Sequence, residues 1–387
     1  MLIAGVIAEY NPFHSGHAWH LEKTKRLSGC DHLVVCLAGS FTQRGEPTVL
    51  SKFDRVRMAL LGGADAVFEL PALYAVRSAE GFARGGVGVL EGLGADVLSF
   101  GAESDLDALR ARAELSLGED EAFTEALREG LSAGKSYARA FGEAAADRLG
   151  VENAPAPNDA LAVEYLKALE AQHSTMLPLA VPRRGSYLGV LNQSGFAPAS
   201  AIREALLTEE REAALAAVPE AVRGLLAGAR PLRELDELLL YTLRGMTAEQ
   251  VAALADVPEG LEHRVKQMAD ECTSRRGLIE AVKCKRYTYA RLSRLMAHAL
   301  LGITRALAEA HPLPEYARLL GFRKGAEPLL TELKQRAKLP IVSNPTEIAD
   351  HPVFRLECRA TDLRGLLSVD DAERRAGRDL TEKFIIV

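Results

Sequence analysis

The chain has 387 residues, 48% of them apolar and 26% charged, with 47 basic against 53 acidic residues and a formal net charge of −6. This is ordinary globular composition at a length that implies two or three domains, so collagen-like, mucin-like and wholly disordered chains are excluded. The acidic total argues against a protein that coats nucleic acid non-specifically, but a local basic patch is enough for a specific RNA or DNA contact. No apolar run reaches the roughly 18–20 residues of a membrane span. The apolar start, MLIAGVIAEYNPFH, has no basic leader segment and no small-residue cleavage site, so it reads as a core strand and the protein as cytoplasmic. The cysteines Cys30, Cys36, Cys272, Cys284 and Cys358 are odd in number and scattered, which predicts small buried or half-buried thiols and neither a disulfide framework nor a zinc ribbon.

In chain order, residues 2–8 read as a buried strand, 16–28 as a helix and 32–39 as a second strand. Residues 51–61 follow as a helix with Ser51 at its N-cap and Asp54 three places on. Residues 64–70 form a third strand stopped by Pro71. Residues 78–92 are helical in pattern, although Gly81, Gly85, Gly86 and Gly88 lower the propensity. Residues 95–101 are a fourth strand. The alternation predicts a Rossmann-like parallel sheet with helices on both faces, and ligands of such sheets sit beyond the carboxyl ends of the strands. From about residue 201 strand signals nearly vanish, and 201–229, 232–246 and 289–303 carry apolar residues at helical spacing. The reading is an α/β nucleotidylyltransferase-type domain over 1–205, then a mostly α-helical domain over 206–387. A small mixed piece is expected near 339–348, and the last eight residues read as a strand or a docked tail.

The most informative stretch is the first strand–helix turn, where Pro12 turns the chain and His14-Ser15-Gly16-His17 opens a helix. A helix N-terminus presents unpaired N–H groups and a positive dipole end, which together suit a phosphate. Two histidines add donors, and the dipole favours their neutral form. Gly16 lets a flat nucleoside lie against the backbone. The glycine-rich Walker A loop is absent.

This H-x-G-H turn resembles the HIGH motif of the nucleotidylyltransferase superfamily. The longer strings narrow the match: residues 9–21 (EYNPFHSGHAWHL), 37–71, 78–104, 157–169 (PNDALAVEYLKAL), 182–189 (PRRGSYLG), 199–204 (ASAIRE), 285–304 and 316–326. They resemble the bacterial tRNA(Met) cytidine acetate ligase family over almost the whole chain. The resemblance implies an ATP-dependent enzyme that converts acetate to acetyl-adenylate. It then passes the acetyl group to N4 of the wobble cytidine, position 34, of elongator tRNA(Met). It also implies an ATP site made of Ile7, Ala8, Glu9, Tyr10, Asn11, Pro12, Phe13, His14, Ser15, Gly16, His17, Ala18, Trp19 and His20, together with Gly101, Asn158 and Arg183. His14 and His17 take the catalytic role, at the α-phosphate and the leaving group.

Each of these outlying residues also has a reading of its own. Gly101 ends a strand at the ligand edge, or is a plain turn glycine. Asn158 reads an adenine or ribose edge, or caps the helix that follows it. Arg183 or Arg184 neutralises triphosphate charge, with the spacing to Gly185 favouring Arg183. Ser200 and Arg203 resemble the second phosphate motif of the superfamily. Two departures stand out: Pro198 where relatives usually have a serine, and Asp159 where they usually have asparagine. Glu9 is either the base for acetyl transfer or an acceptor for loop N–H groups. No metal of the protein's own is expected, and Mg2+ arrives with the nucleotide.

Arg275, Arg276, Lys283, Lys285, Arg286, Arg291 and Arg294 form a basic cluster interleaved with Tyr287 and Tyr289, a composition suited to RNA phosphates and unpaired bases. Gln43, Arg44 and Lys52 follow the second strand and are expected near ATP or RNA. Two other readings compete. A small-molecule adenylyltransferase would use the same turn without RNA, but needs no such helical half. A non-catalytic RNA-binding scaffold would not need His14, Gly16 and His17 intact.

Overall fold

Ile3–Ala8 forms β1, an interior strand with apolar contacts on both faces. The computed structural model describes residues 1–117, 120–150, 157–182 and 197–387. After β1 come His32–Ala38 (β2), Ala66–Leu70 (β3), Val97–Ala102 (β4) and Leu177–Pro182 (β5). They pair in parallel in the order β5-β4-β1-β2-β3. The chain builds outward from β1 to β3 and then crosses to the other side of β1 for β4. That reversal opens a crevice at the carboxyl ends of β1 and β4, where ligands of open α/β sheets bind.

Sequence-encoded caps set the first helices. Ser15–Ser28 (α1) follows β1 and ends at Gly29, which is left-handed at φ 65°. Lys52–Leu61 (α2) starts at Ser51, whose hydroxyl accepts the Asp54 amide, as the sequence predicts. Ala72–Ala75 (α3) and Ala79–Leu93 (α4) follow β3, with Ser78 capping α4. The glycines of α4 lower its propensity, but they let it lie close against its neighbours. A Cβ on Gly86 would stand 2.6 Å from Ile7 Cδ1 of β1, and one on Gly85 would stand 2.3 Å from Tyr74 Cβ. Burial of the α4 face in the main core outweighs about 1 kcal/mol of propensity lost per glycine.

The second half departs from expectation in two places. The long helical pattern over 201–229 is three short helices, Ala199–Ala205, Arg211–Ala216 and Glu220–Ala227. Pro219 lacks an amide hydrogen and ends one helix before the next. Arg211 covers the carbonyl ends of the other two, donating to Leu206 O at 3.0 Å, Ala227 O at 2.8 Å and Ala229 O at 2.9 Å. The larger departure is that the chain returns to the sheet. Ala317–Phe322 (β6) pairs antiparallel with β3, and Ile341–Val342 (β7) and Ile385–Ile386 (β8) pair with β6. Helices still fill most of 206–387, Glu327–Arg336 and Pro352–Leu366 among them, while the mixed piece near 339–348 holds β7 and a 3-10 turn over Pro345–Ile348, and the tail ends in β8. A separate apolar cluster lies within the helices from Asp236–Gly245 to Tyr289–Leu301.

Lys52, expected near ATP or RNA, faces neither. It is fully buried, with Nζ 2.6 Å from Glu69 Oε1, 2.9 Å from Glu357 Oε1 and 2.6 Å from Asp379 Oδ1. Arg318 of β6 completes this network with Glu69 and Asp379. The network joins α2 and β3 to the C-terminal segments 300 residues away. The cysteines are unpaired, four of them buried or half-buried and Cys284 exposed. No described helix is long and apolar enough to cross a membrane.

Candidate active site

His14 is the N-cap of α1, and the cap is reciprocal. Its Nδ1 accepts the Gly16 amide at 3.1 Å, while His17 Nδ1 accepts the His14 amide at 3.2 Å. A neutral imidazole carries one ring proton, so a Nδ1 that accepts places that proton on Nε2. The two rings stack with centroids 3.7 Å apart at 25°. The sequence thus produces a pair of Nε2–H donors at the positive end of a helix, and both residues line a cleft. A helix N-terminus with two imidazole rings beside it is an arrangement suited to an anion.

The loop before the cap is held from below. Arg55 of α2 is buried and donates to Glu9 O at 2.6 Å, to Ala38 O at 2.9 Å and to Gly39 O. Burial, reinforced by Arg364, pushes its guanidinium down to about 9. Arg203 donates to Asn11 O at 2.7 Å, and Asn11 Oδ1 accepts the Val49 amide at 2.8 Å. Glu9 Oε1 accepts the Gln43 amide at 2.5 Å, so the structural reading of Glu9 is met at one of its oxygens. Burial raises the Glu9 carboxyl, against the Gln43 hydrogen bond and the charges of Arg55, Arg44 and Arg203.

The opposite wall comes from the end of β4. Gly101 lines the cleft there with Asn158. Asn158 lies inside the first turn of Pro157–Ala171, and its amide donates to Glu103 Oε1 at 2.6 Å. Asp159, the departure from the family pattern, fastens the loop after β4. Its carboxylate accepts the amides of Glu103 (2.8 Å) and Ser104 (3.0 Å) and the Ser104 hydroxyl (2.6 Å). Against the cost of burial, these bonds and Arg112 hold Asp159 below the usual carboxylate range. An ionised acceptor of three donors suits this position; asparagine has one acceptor oxygen and would offer fewer bonds.

The cleft between these walls has a volume of about 460 Å³. Ile7, Ala8, Glu9, Tyr10, Asn11, His14, Gly16, His17, Trp19, His20, Gly101, Asn158, Ser200 and Arg203 all line it. Four residues expected at the site lie behind that wall instead. Pro12 and Phe13 are buried, Phe13 lying under Gly62, Ser15 donates to Ala217 O at 2.9 Å, and Ala18 packs into the core on the α2 side. They are consecutive with the lining residues, but a turn and a helix present only part of their surface to one cavity. Arg183 and the 183–189 part of PRRGSYLG lie outside the described residues. Gln43 and Arg44 line the cleft, as does Glu46, which the sequence reading missed. Its signal was the position of this loop, just past the carboxyl end of β2. Phe100 and Tyr165 also line it and give an apolar wall suited to a base.

A family model described as HIGH Nucleotidyl Transferase matches residues 1–379. The tRNA(Met) cytidine acetate ligase of Syntrophomonas wolfei is 34% identical, over 98% of both chains. That of Acetivibrio thermocellus is 35% identical over the full length of both. The chain belongs to the tRNA(Met) cytidine acetate ligase family. Its fold agrees with that of Thermotoga maritima TmcAL bound with alpha-thio ATP, at a TM-score of 0.90 and 30% identity with full coverage of both chains.

Within this family frame, the basic cluster divides in two. Arg276, Lys283, Lys285 and Arg286 are exposed. Tyr287 lies between two of the arginines, its ring centroid 5.8 Å from the Arg286 guanidinium and 5.5 Å from that of Arg291. Arg275, Arg291 and Arg294 are half-buried and engaged with the protein itself. Arg291 donates to Asp256 O at 3.1 Å, and Arg275 donates to the Ser293 hydroxyl. Lys283, Lys285 and Arg286 lie between the helices Arg275–Val282 and Tyr289–Leu301, whereas Arg275, Arg291 and Arg294 lie on them, so the helix boundaries separate most of the exposed cations from the half-buried ones.

Proposed function

We propose that this protein is an ATP-dependent ligase that activates acetate as acetyl-adenylate and acetylates N4 of the wobble cytidine of elongator tRNA(Met), in the cytoplasm. The observation that carries the reading is the reciprocal His14–His17 cap opening into the cleft at the β1/β4 crevice. Acetate is ionised at neutral pH, so its oxygen attacks the α-phosphorus without a general base. Pyrophosphate leaves as the acetyl–phosphate bond forms. The Nε2–H groups of His14 and His17 and the α1 N-terminus stabilise charge on the phosphate oxygens and on the leaving group. Magnesium enters with the nucleotide as part of the substrate and neutralises triphosphate charge. In the second step the cytosine N4 attacks the acetyl carbon, AMP leaves, and N4 loses one proton.

Pyrophosphate–ATP exchange with and without acetate, before any tRNA is added, tests the first half. Acetate-dependent exchange is the expected result. Exchange that ignores acetate and responds to a different acid or nucleotide would favour a small-molecule adenylyltransferase.

Lys285 and Arg286 are the cations best placed for RNA, being exposed beside Tyr287. Replacing both by glutamate is expected to weaken tRNA binding by about tenfold or more at low salt and to flatten the salt dependence by roughly two phosphate contacts. Acetate-dependent exchange should be unaffected. Filter binding across a salt series measures this, and unchanged affinity would move the RNA surface elsewhere.

A further inference from the structure

The 42–46 turn touches the cleft on one side and the helical part on the other. Two backbone bonds close it, Thr42 N to Glu46 O and Gly45 N to Thr42 O, both 2.9 Å. Gly45 sits at φ 74°, a conformation open to glycine. On the cleft side Gln43 donates its amide to Glu9, and Arg44 lines the cavity. On the outer side the Ser293 hydroxyl donates to Arg44 O at 2.6 Å. Arg275 Nη2 donates to the same hydroxyl at 2.5 Å and reaches Gly45 O at 3.4 Å. Ser293 is fully buried, and neither it nor Arg275 lines the cleft. The approach is close as well as hydrogen-bonded: a Cβ on Gly45 would stand 2.7 Å from Ser293 O and 2.8 Å from Arg294 Cα.

We propose that Ser293 is a positioning residue for the ATP cleft, its hydroxyl fixing the 42–46 turn so that Gln43 and Arg44 stand in place beside Glu9. The inference rests on the ATP-dependent reading above and adds what sets that site's geometry. The argument is one of constraint. The turn's own bonds fix its shape, but its seat depends on outside contacts, Gln43 Nε2 to Arg77 O at 3.0 Å on one side and Ser293 on the other. Its outer face meets a packed helix with no room to slide, and one hydroxyl both accepts from Arg275 and donates to the turn. Such a chain of bonds polarises each member and resists displacement. Removing the hydroxyl leaves the Arg44 carbonyl and an Arg275 N–H without this partner at a buried contact, and the turn relaxes. A shift of about 1 Å at reacting groups costs up to roughly 100-fold in rate. Arg275 is the cationic donor in this chain of bonds.

The test is acetate-dependent pyrophosphate exchange by the full chain carrying Ser293→Ala, Ser293→Thr or Gly45→Ala, with melting temperatures measured alongside. Ser293→Ala is expected to lose about tenfold or more in kcat/KM for ATP while staying folded. Ser293→Thr keeps the hydroxyl and should recover most of that loss. Gly45→Ala, which pushes the turn off the helix and leaves the hydroxyl intact, should fall in the same direction. A Ser293→Ala enzyme with wild-type kcat/KM overturns the proposal, and so does equal loss in the alanine and threonine variants, which would trace the effect to packing. If Ser293→Ala does not fold, a folded Gly45→Ala enzyme with wild-type exchange overturns it instead. If the unaltered chain shows no acetate-dependent exchange even with elongator tRNA(Met) added, the acetate reading fails by itself. The positioning role is then judged by ATP affinity, and Ser293→Ala binding ATP as tightly as the unaltered chain overturns it.

Discussion

Replacing His14 or His17 by alanine is expected to lower acetate-dependent pyrophosphate exchange by about 100- to 1,000-fold, the usual loss when one preorganised donor to a developing oxyanion is removed. The two variants differ in what else they disturb. Each histidine accepts a backbone amide at the start of α1, so each alanine also removes part of a helix cap. A lost cap costs about 1 kcal/mol, which should show as a melting temperature a few degrees lower. His14→Asn separates the two roles. Asparagine is a good N-cap, so it keeps the helix start, but its short amide does not reproduce the Nε2–H donor. Stability near that of the unaltered chain with exchange still lost would assign the effect to the donor. Normal exchange in either alanine variant would remove the pair from the chemistry.

Lys52→Met is expected to destabilise the fold by about 3–5 kcal/mol, because it removes the cation from a buried group of three carboxylates. Glu69, Glu357 and Asp379 all lie within 2.9 Å of Lys52 Nζ, and none of the four side chains is exposed. Arg318 remains to pair with Glu69 and Asp379, which leaves Glu357 least compensated. Burial, and then the like charge of Glu69, already push Glu357 up to about 7, against the attraction of Lys52. The native chain therefore binds more protons here than the unfolded chain between the ordinary value of 4.5 and about 7. The contribution of Glu357 to stability is full below 4.5 and is lost as pH rises through 7. Without Lys52 the carboxyl rises further, so the variant should lose more stability between pH 5 and 8 than the unaltered chain does. Asp379 has the opposite sign. Burial works against its charge, but Lys52 and Arg318 hold it below its ordinary value, so its contribution is present above 3.8 and fades in acid. Denaturant midpoints across this pH range measure both effects. A Lys52→Met protein with unchanged midpoints would show that the network contributes no net stability.

The parts of this protein legible in its sequence are those whose hydrogen-bond partners lie within a few residues. The β1 strand, the α1 start at His14-Ser15-Gly16-His17, the Ser51 cap and the β-α alternation through β4 follow from period and cap chemistry alone. His14 and His17 belong to this group, because their geometry is a helix cap and a cap is local. The resemblance to the acetate ligase family drew on strings from residue 9 to residue 326, and the comparison over the whole chain agrees with it.

What tertiary structure alone decided has partners hundreds of residues apart. Lys52 reads as a cation near ATP or RNA, and becomes the centre of a buried network only when residues 357 and 379 arrive beside it. Arg275 reads as part of an RNA-facing run, and its hydrogen bonds to Ser293 and Gly45 arise only where the 42–46 turn meets its helix. The last seventy residues read as the end of a mostly helical domain with a small mixed piece and a strand or docked tail, and the structure joins three strands from them to the sheet. A charged side chain carries no local mark of whether water or another charge will be its partner. That choice is made by long-range packing, where apolar burial brings distant segments together and leaves each charge either solvated or paired.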